Sequence, residues 1–437
     1  MVTTESVLAA IGARSYSSAI LTTYSFEPTF FELRVMSAMR RAGVRNVVSL
    51  VDRGVMAEVM ESPAANSLDA FGSHAILPMG GERLWHPKVI LLAGERNGLL
   101  AIGSGNLTSA GHGSNAELWS LIHVQDVAMD NARLFVQLWD DVRARCGHAR
   151  GVVSQRLDWF EQYAPWIAEV RSTSGKVPLS IHGTQVQLAT GVAISPLEQF
   201  LDAIAGRAVN GFTVLSPYFD KHGHVLSTLL HAHPKATMNA IMEDEWGSIP
   251  NEFPLSEQRR CKFYHWSELL RKDNETASTK QARLHAKLLV AHLSDGSEVI
   301  LVGSSNASLA GMGGVGTLPM NEEVNLLLDR PRSNVLADLG INMVGSPAIR
   351  LDQLRTGVAT EPSPDRRSHR PIRLILAEYD HPRVIVHSVD GWEEACCVVI
   401  EDPLGRKTVE HHLRRMDEAQ YIDLGVELPN GCFLYIT

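Results

Sequence analysis

The sequence predicts an α/β protein of two equivalent lobes, each a mixed sheet flanked by helices, related by a pseudo-two-fold axis and followed by a small all-β domain. Three observations predict it. The stretch "HPKVILLAGERNGLLAIGSGN" at 86–106 has a second copy, "HAKLLVAHLSDGSEVILVGSSN", at 285–306. Each copy follows a strand–helix–strand pattern at a similar distance, Tyr24 lying 62 residues before His86 and Tyr218 lying 67 before His285. After about residue 346 the pattern becomes short alternating apolar runs.

The first lobe is expected over 1–170. An apolar strand, Ala19 to Tyr24, leads into a helical pattern in which Leu33, Met36 and Met39 share a face. Gly43 ends that helix, and a buried strand runs from Val47 to Val51. Residues 124–170 read as helical, with "ARLFVQLWDDVRARC" amphipathic. The second lobe, 171–350, repeats the scheme: strand Phe212 to Tyr218, helix Val225 to Leu230, a turn at Pro234 and strand Thr237 to Met242. Both strand–helix–strand units end in an acidic residue, Asp52 and Glu243. A polar, proline-bearing linker covers 351–371. The runs "RLILAEY", "RVIVHSV", "ACCVVIED" and "GCFLYIT" within 372–437 then predict a small sandwich.

Composition narrows the class. At 437 residues the chain is too long for one core, and 45% hydrophobic with 20% charged residues is that of a soluble globular protein. No apolar run approaches the ~20 residues of a membrane span, and no basic-then-apolar leader opens the chain, so a cytoplasmic protein is expected. Five scattered cysteines (Cys146, Cys261, Cys396, Cys397, Cys432) form no CxxC pair and read as reduced core residues. The net charge of −9 gives no support to a nucleic-acid partner. Two local basic clusters, Arg40 to Arg45 and Arg366 to Arg373, stand against that background.

The chemistry lies in the repeated motif. His86 with Lys88, and His285 with Lys287, each open an apolar β-prone run, where positions two apart project together. Gly-Ser-x-Asn ends a second such run: Gly103, Ser104 and Asn106, then Gly303, Ser304 and Asn306. This predicts a neighbouring strand emptying into a tight loop, with the glycines allowing the turn and the asparagines offering donors. Downstream, "GSNAEL" and "PMNEEV" place Glu117 and Glu323 in matching Asn-x-Glu contexts. The second copy carries about six extra residues in "GMGGVGTLPM", read as a mobile loop beside the site. Two such sets hold two imidazoles, two ammonium groups and two amides, with no metal cage. They suit a phosphoryl group: lysines and asparagines on the non-bridging oxygens, one imidazole attacking phosphorus, the other protonating the leaving oxygen. A carboxylate on each imidazole Nδ1 would fix the tautomer, a role given to Glu117 and Glu323; Ser104 and Ser304 are phosphate-binding candidates.

These residues resemble the phospholipase D superfamily, whose signature is His-x-Lys followed by Gly-Ser-x-Asn, usually twice in one chain. The resemblance covers roughly 15–345 and leaves out the C-terminal domain, so it implies two phospholipase D-like lobes. It also implies a reaction without metal or other cofactor, passing through a phosphohistidine. Carried over, His86 is the nucleophile and His285 the general acid, with Lys88, Lys287, Asn106 and Asn306 on the phosphate; the two histidines can exchange roles. One departure bears on substrate. The family's usual motif has an aspartate five positions after the lysine, where this chain has Ala93 and His292. Branches resembling tyrosyl-DNA phosphodiesterases and phospholipase D-like restriction nucleases also do without it, which tilts the expectation toward nucleic acid, DNA over RNA. His292 itself reads as an ordinary strand histidine.

The expected function is therefore a prokaryotic metal-independent phosphodiesterase or nuclease acting on DNA, in a restriction or antiphage defence setting, as a monomer or homodimer. Two alternatives stand beside it. One is a lipid phosphodiesterase or phosphatidyl transferase, although no amphipathic anchor is visible. The other is a non-catalytic phosphate-binding scaffold for a partner such as a helicase or defence-system protein. Arg366, Arg367 and Arg370 are candidates for steering DNA, while Trp392 and Phe433 read as core.

Overall fold

The computed structural model describes residues 7–436 except 13, 62–73, 126–127, 174–178, 244–245, 270–281, 351–374, 381, 389–395, 402–406, 414–418, 425–427 and 429–432. The expected linker with its arginines, together with Trp392, lies outside the described residues.

Two compact units result. One joins the residues up to Val142 to those from Phe160 onward through the second lobe; the other joins Arg143–Trp159 to the C-terminal strands. In the first unit, one lobe contains β1 (Ser18–Thr23), β2 (Asn46–Asp52), β3 (Ala75–Met79), β4 (Leu84–Trp85), β5 (Val89–Ala93), β6 (Gly98–Gly103), β7 (Asn115–Ala116) and β8 (Trp119–Val124). Its six-stranded sheet has the order β3-β2-β1-β5-β6-β8. The first three strands run parallel, and β1, β5, β6 and β8 alternate antiparallel.

The other lobe adds β9 (Leu179–Ile181), β10 (Thr184–Ala189), β11 (Val209–Ser216), β12 (Thr237–Met242), β13 (Cys261–His265), β14 (Arg283–Leu284), β15 (Leu288–Leu293), β16 (Glu298–Gly303), β17 (Asn321–Glu322) and β18 (Asn325–Arg330). Its order is β13-β12-β11-β15-β16-β18-β10-β9. Remove β9 and β10 and the two orders coincide strand for strand, with the same parallel and antiparallel pairings. The duplication read from the motif is thus a duplication of topology. The strands β1, β2, β5, β6 and β16 are buried along their whole length, which is why their apolar residues cluster in runs rather than alternate.

The helix after β1 departs from expectation. Met36 and Met39 are buried, but Leu33 is 66% exposed. A π-helical turn, Phe31–Val35, precedes the α-helical Met36–Arg41, and the extra residue per turn rotates the buried face onto Phe31, Val35, Met36 and Met39. The basic cluster from Arg40 to Arg45 presents its arginines to solvent. The helical stretch expected over 124–170 is present as Asp130–Arg145, Gly151–Gln162 and Trp166–Thr173.

The second unit carries β19 (Ile375–Asp380), β20 (Arg383–Ser388), β21 (Cys396–Glu401), β22 (Lys407–Leu413), β23 (Ala419–Asp423) and β24 (Phe433–Ile436). They form two three-stranded antiparallel sheets, β19-β20-β23 and β22-β21-β24. Val384, Val386 and Ile422 from one sheet pack with Val398 and Ile400 from the other, which makes the unit a small sandwich.

Candidate active site

Each His-x-Lys lies in the extended segment just before its long strand, and a two-residue strand ahead of it reaches into the other lobe. β4 pairs parallel with β17 (Leu84 opposite Asn321), and β14 pairs parallel with β7 (Arg283 opposite Asn115). The pairing continues into the histidines: His86 N–H donates to the Glu322 carbonyl and His285 N–H to that of Ala116, both at 3.0 Å. Each histidine therefore docks on the Asn-x-Glu segment of the opposite lobe. His86 Nδ1 meets both Glu323 oxygens at 2.9 and 3.0 Å, and His285 Nδ1 meets Glu117 Oε2 at 2.9 Å. The asparagines of the same segments brace the carboxylates, Asn321 donating to Glu323 and Asn115 to Glu117 at 3.2 Å. A carboxylate on Nδ1 draws the proton there and leaves Nε2 as the reactive nitrogen.

The backbone entering each histidine is clamped by the acidic residue that ends the strand–helix–strand unit. Asp52 Oδ2 accepts from Trp85 N–H at 3.0 Å, and Glu243 Oε2 accepts from Leu284 N–H at 2.5 Å. Asp52 Oδ1 also accepts from Gly54 N–H at 2.9 Å, capping the helix Arg53–Glu61. These two carboxylates belong to the site's support, a role that sequence reasoning missed although it had singled out the pair.

The Gly-Ser-x-Asn turns lie beside the lysines. Gly103 N–H donates to the Lys88 carbonyl at 3.0 Å across the β5–β6 ladder. The glycines are required by close approach: a Cβ on Gly103 would lie 2.6 Å from the Leu118 carbonyl, and one on Gly303 2.5 Å from that of Val324. Both serine hydroxyls brace the Glu-bearing segment, accepting from Leu118 N–H and Val324 N–H at 2.9 Å. They differ as donors. Ser104 gives its proton to Glu117 Oε2 at 2.5 Å, whereas Ser304 gives its proton to the Val324 carbonyl at 3.2 Å. Asn106 Oδ1 accepts from Thr23 Oγ1, Tyr24 N–H and Ser25 N–H at 3.2–3.3 Å, which sets the amide with its nitrogen on the opposite side. Asn306 is buried at the matching turn, where Ala307 N–H donates to Ser216 Oγ as Leu107 N–H does to Thr23 Oγ1.

All four motif side chains share one electrostatic environment. Burial pushes His86 well below the usual histidine range, and Lys88, Lys287 and His285 add to the effect, against a backbone hydrogen bond at Ser304. His285 is pushed down to about 4 by burial and Lys287, with Glu117 opposing and Lys88 adding. Glu117 is held below the usual carboxylate range: burial raises it, but His285, Lys287 and Ser104 together outweigh that. Lys88 and Lys287 are buried and donate to the carbonyls of their own histidines, at 2.5 and 2.6 Å. Tyr24 packs on the His86 ring with centroids 5.4 Å apart, and Lys88 Nζ lies 6.0 Å from the Tyr24 ring centre. Its place at the end of a strand aimed at the motif was the available signal.

His292 is a structural strand residue, its ring nitrogens on Glu298 at 3.0 Å and Thr213 at 2.9 Å. The long loop of the second lobe is pinned where a mobile one was expected: Ser195 Oγ donates to the Gly314 carbonyl at 2.8 Å, and Gly316 N–H to Glu198 Oε2 at 3.1 Å.

No family model matches the sequence, and no curated protein matches it. Among solved structures the chain is similar to yeast tyrosyl-DNA phosphodiesterase, with 12% identity and a TM-score of 0.46 over 74% of this chain and 86% of that one. It is similar to the phosphatidylserine synthase of Haemophilus influenzae, with 10% identity and a TM-score of 0.47 over 80% and 85%. Over 32% of this chain and 85% of the other it is similar to Nuc from Salmonella typhimurium, a phospholipase D family member, with 22% identity and a TM-score of 0.25. Among the described residues, no helix is long and apolar enough to cross a membrane.

Proposed function

We propose that the protein is a phosphodiesterase of the phospholipase D superfamily that cleaves nucleic acid, DNA in preference to RNA, through a phosphohistidine and without a metal ion. The observation that carries this reading is the crossed pair of contacts, His86 on Glu323 and His285 on Glu117. Two imidazoles oriented through Nδ1, with a buried ammonium beside each, supply a nucleophile–acid pair and fixed positive charge for an anion. His86 Nε2 attacks phosphorus. The bond to the leaving oxygen breaks as His285 Nε2–H gives that oxygen its proton. Water then attacks the phosphohistidine, passes a proton back to His285 and releases His86.

The division of roles has physical support. His86 is the more deeply buried ring, and burial pushes it toward the neutral form that a nucleophile needs. His285 is half-buried, which suits a group that must exchange protons with water. Lys88 and Lys287 place fixed positive charge beside both imidazoles, which disfavours a divalent cation there and supports the metal-free route. For the substrate, the supporting residues are Ala93 and His292 at the places where the lipid-cleaving branch has aspartate. A restriction or antiphage setting is the context that this branch implies.

The experiment is cleavage of labelled single- and double-stranded DNA in excess EDTA, wild type beside His86→Ala and His285→Ala. Cleavage that survives EDTA and vanishes in both variants is the expected result. A wild type that loses activity in EDTA, or a variant that keeps it, contradicts the proposal.

A further inference from the structure

Arg283, two positions before His285, lies over Trp246, and we propose that the two form a platform for one nucleobase on the His285 side of the scissile phosphate, which gives the strand a direction through an otherwise two-fold site. The inference deepens the nucleic-acid reading above and rests on it. Trp246 is 54% exposed, an unusual state for the side chain that gains most from burial. Arg283 Cζ lies 5.3 Å from its ring centre, within cation–π range, which holds the indole against the guanidinium. Arg283 is fixed in turn by β14, whose pairing with β7 seats it two positions before His285. The segment after Trp246 is tied to the loop leaving β11, Ser248 N–H donating to the Pro217 carbonyl at 3.0 Å and Ser248 Oγ to that of Phe219 at 2.7 Å. Just before Trp246, Glu243 holds Leu284 N–H. The exposed ring is therefore anchored after it to the loop leaving β11 and before it to the residue that holds the segment entering His285.

The arrangement has the two surfaces that single-stranded nucleic acid takes. The indole offers a π face to a base of any sequence, and the guanidinium offers donors to the phosphate next to it. Arg283 is partly exposed, so the guanidinium is placed at the surface beside the indole. Among the described residues the first lobe shows no equivalent pair. Leu84 and Trp85, at the positions of Arg283 and Leu284, are both buried, and the Trp85 indole donates inward to the Leu50 carbonyl at 3.1 Å.

The test is binding of a labelled oligothymidylate of about ten nucleotides and of its abasic counterpart, followed by fluorescence anisotropy, with wild type, Trp246→Ala and Trp246→Phe. Cleavage of the same oligonucleotide in EDTA is measured in parallel. Wild type is expected to prefer the base-bearing strand by roughly tenfold, Trp246→Ala to lose that preference and Trp246→Phe to keep most of it. Equal binding of the two strands by wild type, or a preference that survives in Trp246→Ala, overturns the platform while leaving the nuclease reading intact. A wild type that binds neither strand overturns both. A wild type that binds but does not cleave removes the phosphodiesterase reading, and the anisotropy comparison still decides the platform.

Discussion

Glu323 holds His86 Nδ1 at 2.9 Å although the two residues belong to different lobes and stand 237 positions apart. Glu117 does the same for His285, 168 positions away, so each half of the duplication supplies the carboxylate that orients the other's histidine. Replacing Glu323 by Gln keeps the shape and removes the charge that supports an imidazolium and selects the tautomer. A loss of about 10²- to 10⁴-fold in kcat with KM little changed is expected for Glu323→Gln, and likewise for Glu117→Gln. Steady-state kinetics check it; a kcat within a few-fold of wild type contradicts the orienting role.

The pH dependence follows from the directions of the two histidine shifts. A lowered pKa means that the ring keeps its proton only at lower pH. His86 therefore stays neutral as a nucleophile into the acid range, while His285, at about 4, is the protonated acid in a fraction that falls tenfold per pH unit above that value. For the unliganded enzyme, log kcat/KM is expected to descend with unit slope through the acid range. A bound phosphodiester brings negative charge and favours the imidazolium, so the descending limb of kcat lies at higher pH. Profiles with coincident limbs, or none, contradict this assignment.

Ser104 and Ser304 occupy matching positions and are expected to behave differently. Both accept a backbone N–H, so Ser→Ala at either leaves a buried donor without its oxygen and costs about 1–3 kcal/mol by thermal or chemical unfolding. Only Ser104 also donates to the carboxylate that orients a histidine, and it helps to hold Glu117 ionised. Ser104→Ala is expected to lower kcat about tenfold and to move the pH profile, while Ser304→Ala changes stability alone. Equal kinetic losses at the two sites contradict the distinction.

Asn106→Asp separates support from ligand binding. The aspartate keeps an acceptor for Thr23, Tyr24 and Ser25 but replaces the amide's NH₂ donor with a negative charge. A melting temperature near that of wild type with a loss of about 10²- to 10³-fold in kcat/KM is the expected outcome. Full activity in this variant removes Asn106 from the phosphate site.

Much of this site was legible in sequence because its groups recur locally. His86 with Lys88 and Gly103 with Asn106 are separated by one strand, a strand-to-strand link and another strand, and such spacing survives as a pattern. The crossing of the carboxylates was not legible. It depends on β4 with β17 and β7 with β14, two-residue pairings between segments more than 150 positions apart, too short to leave a periodicity. Asp52 and Glu243 were visible as a matching pair, but hydrogen bonds to Trp85 and Leu284 N–H, 33 and 41 positions on, have no signature in side-chain pattern. The misread face at Leu33 has a simpler cause: one π-helical turn defeats a periodicity of 3.6. Net charge says little about this site for a physical reason too, since Lys88 and Lys287 are buried, whereas a whole-chain sum is dominated by the surface.

The most direct measurement of the central claim uses bis(p-nitrophenyl) phosphate with His285→Ala, because p-nitrophenolate leaves without needing a proton. A burst of nitrophenolate equal to the enzyme present, with a p-nitrophenyl phosphoryl adduct mapped by mass spectrometry to His86, is the result this account predicts. No burst, or an adduct on any residue other than His86, would contradict it.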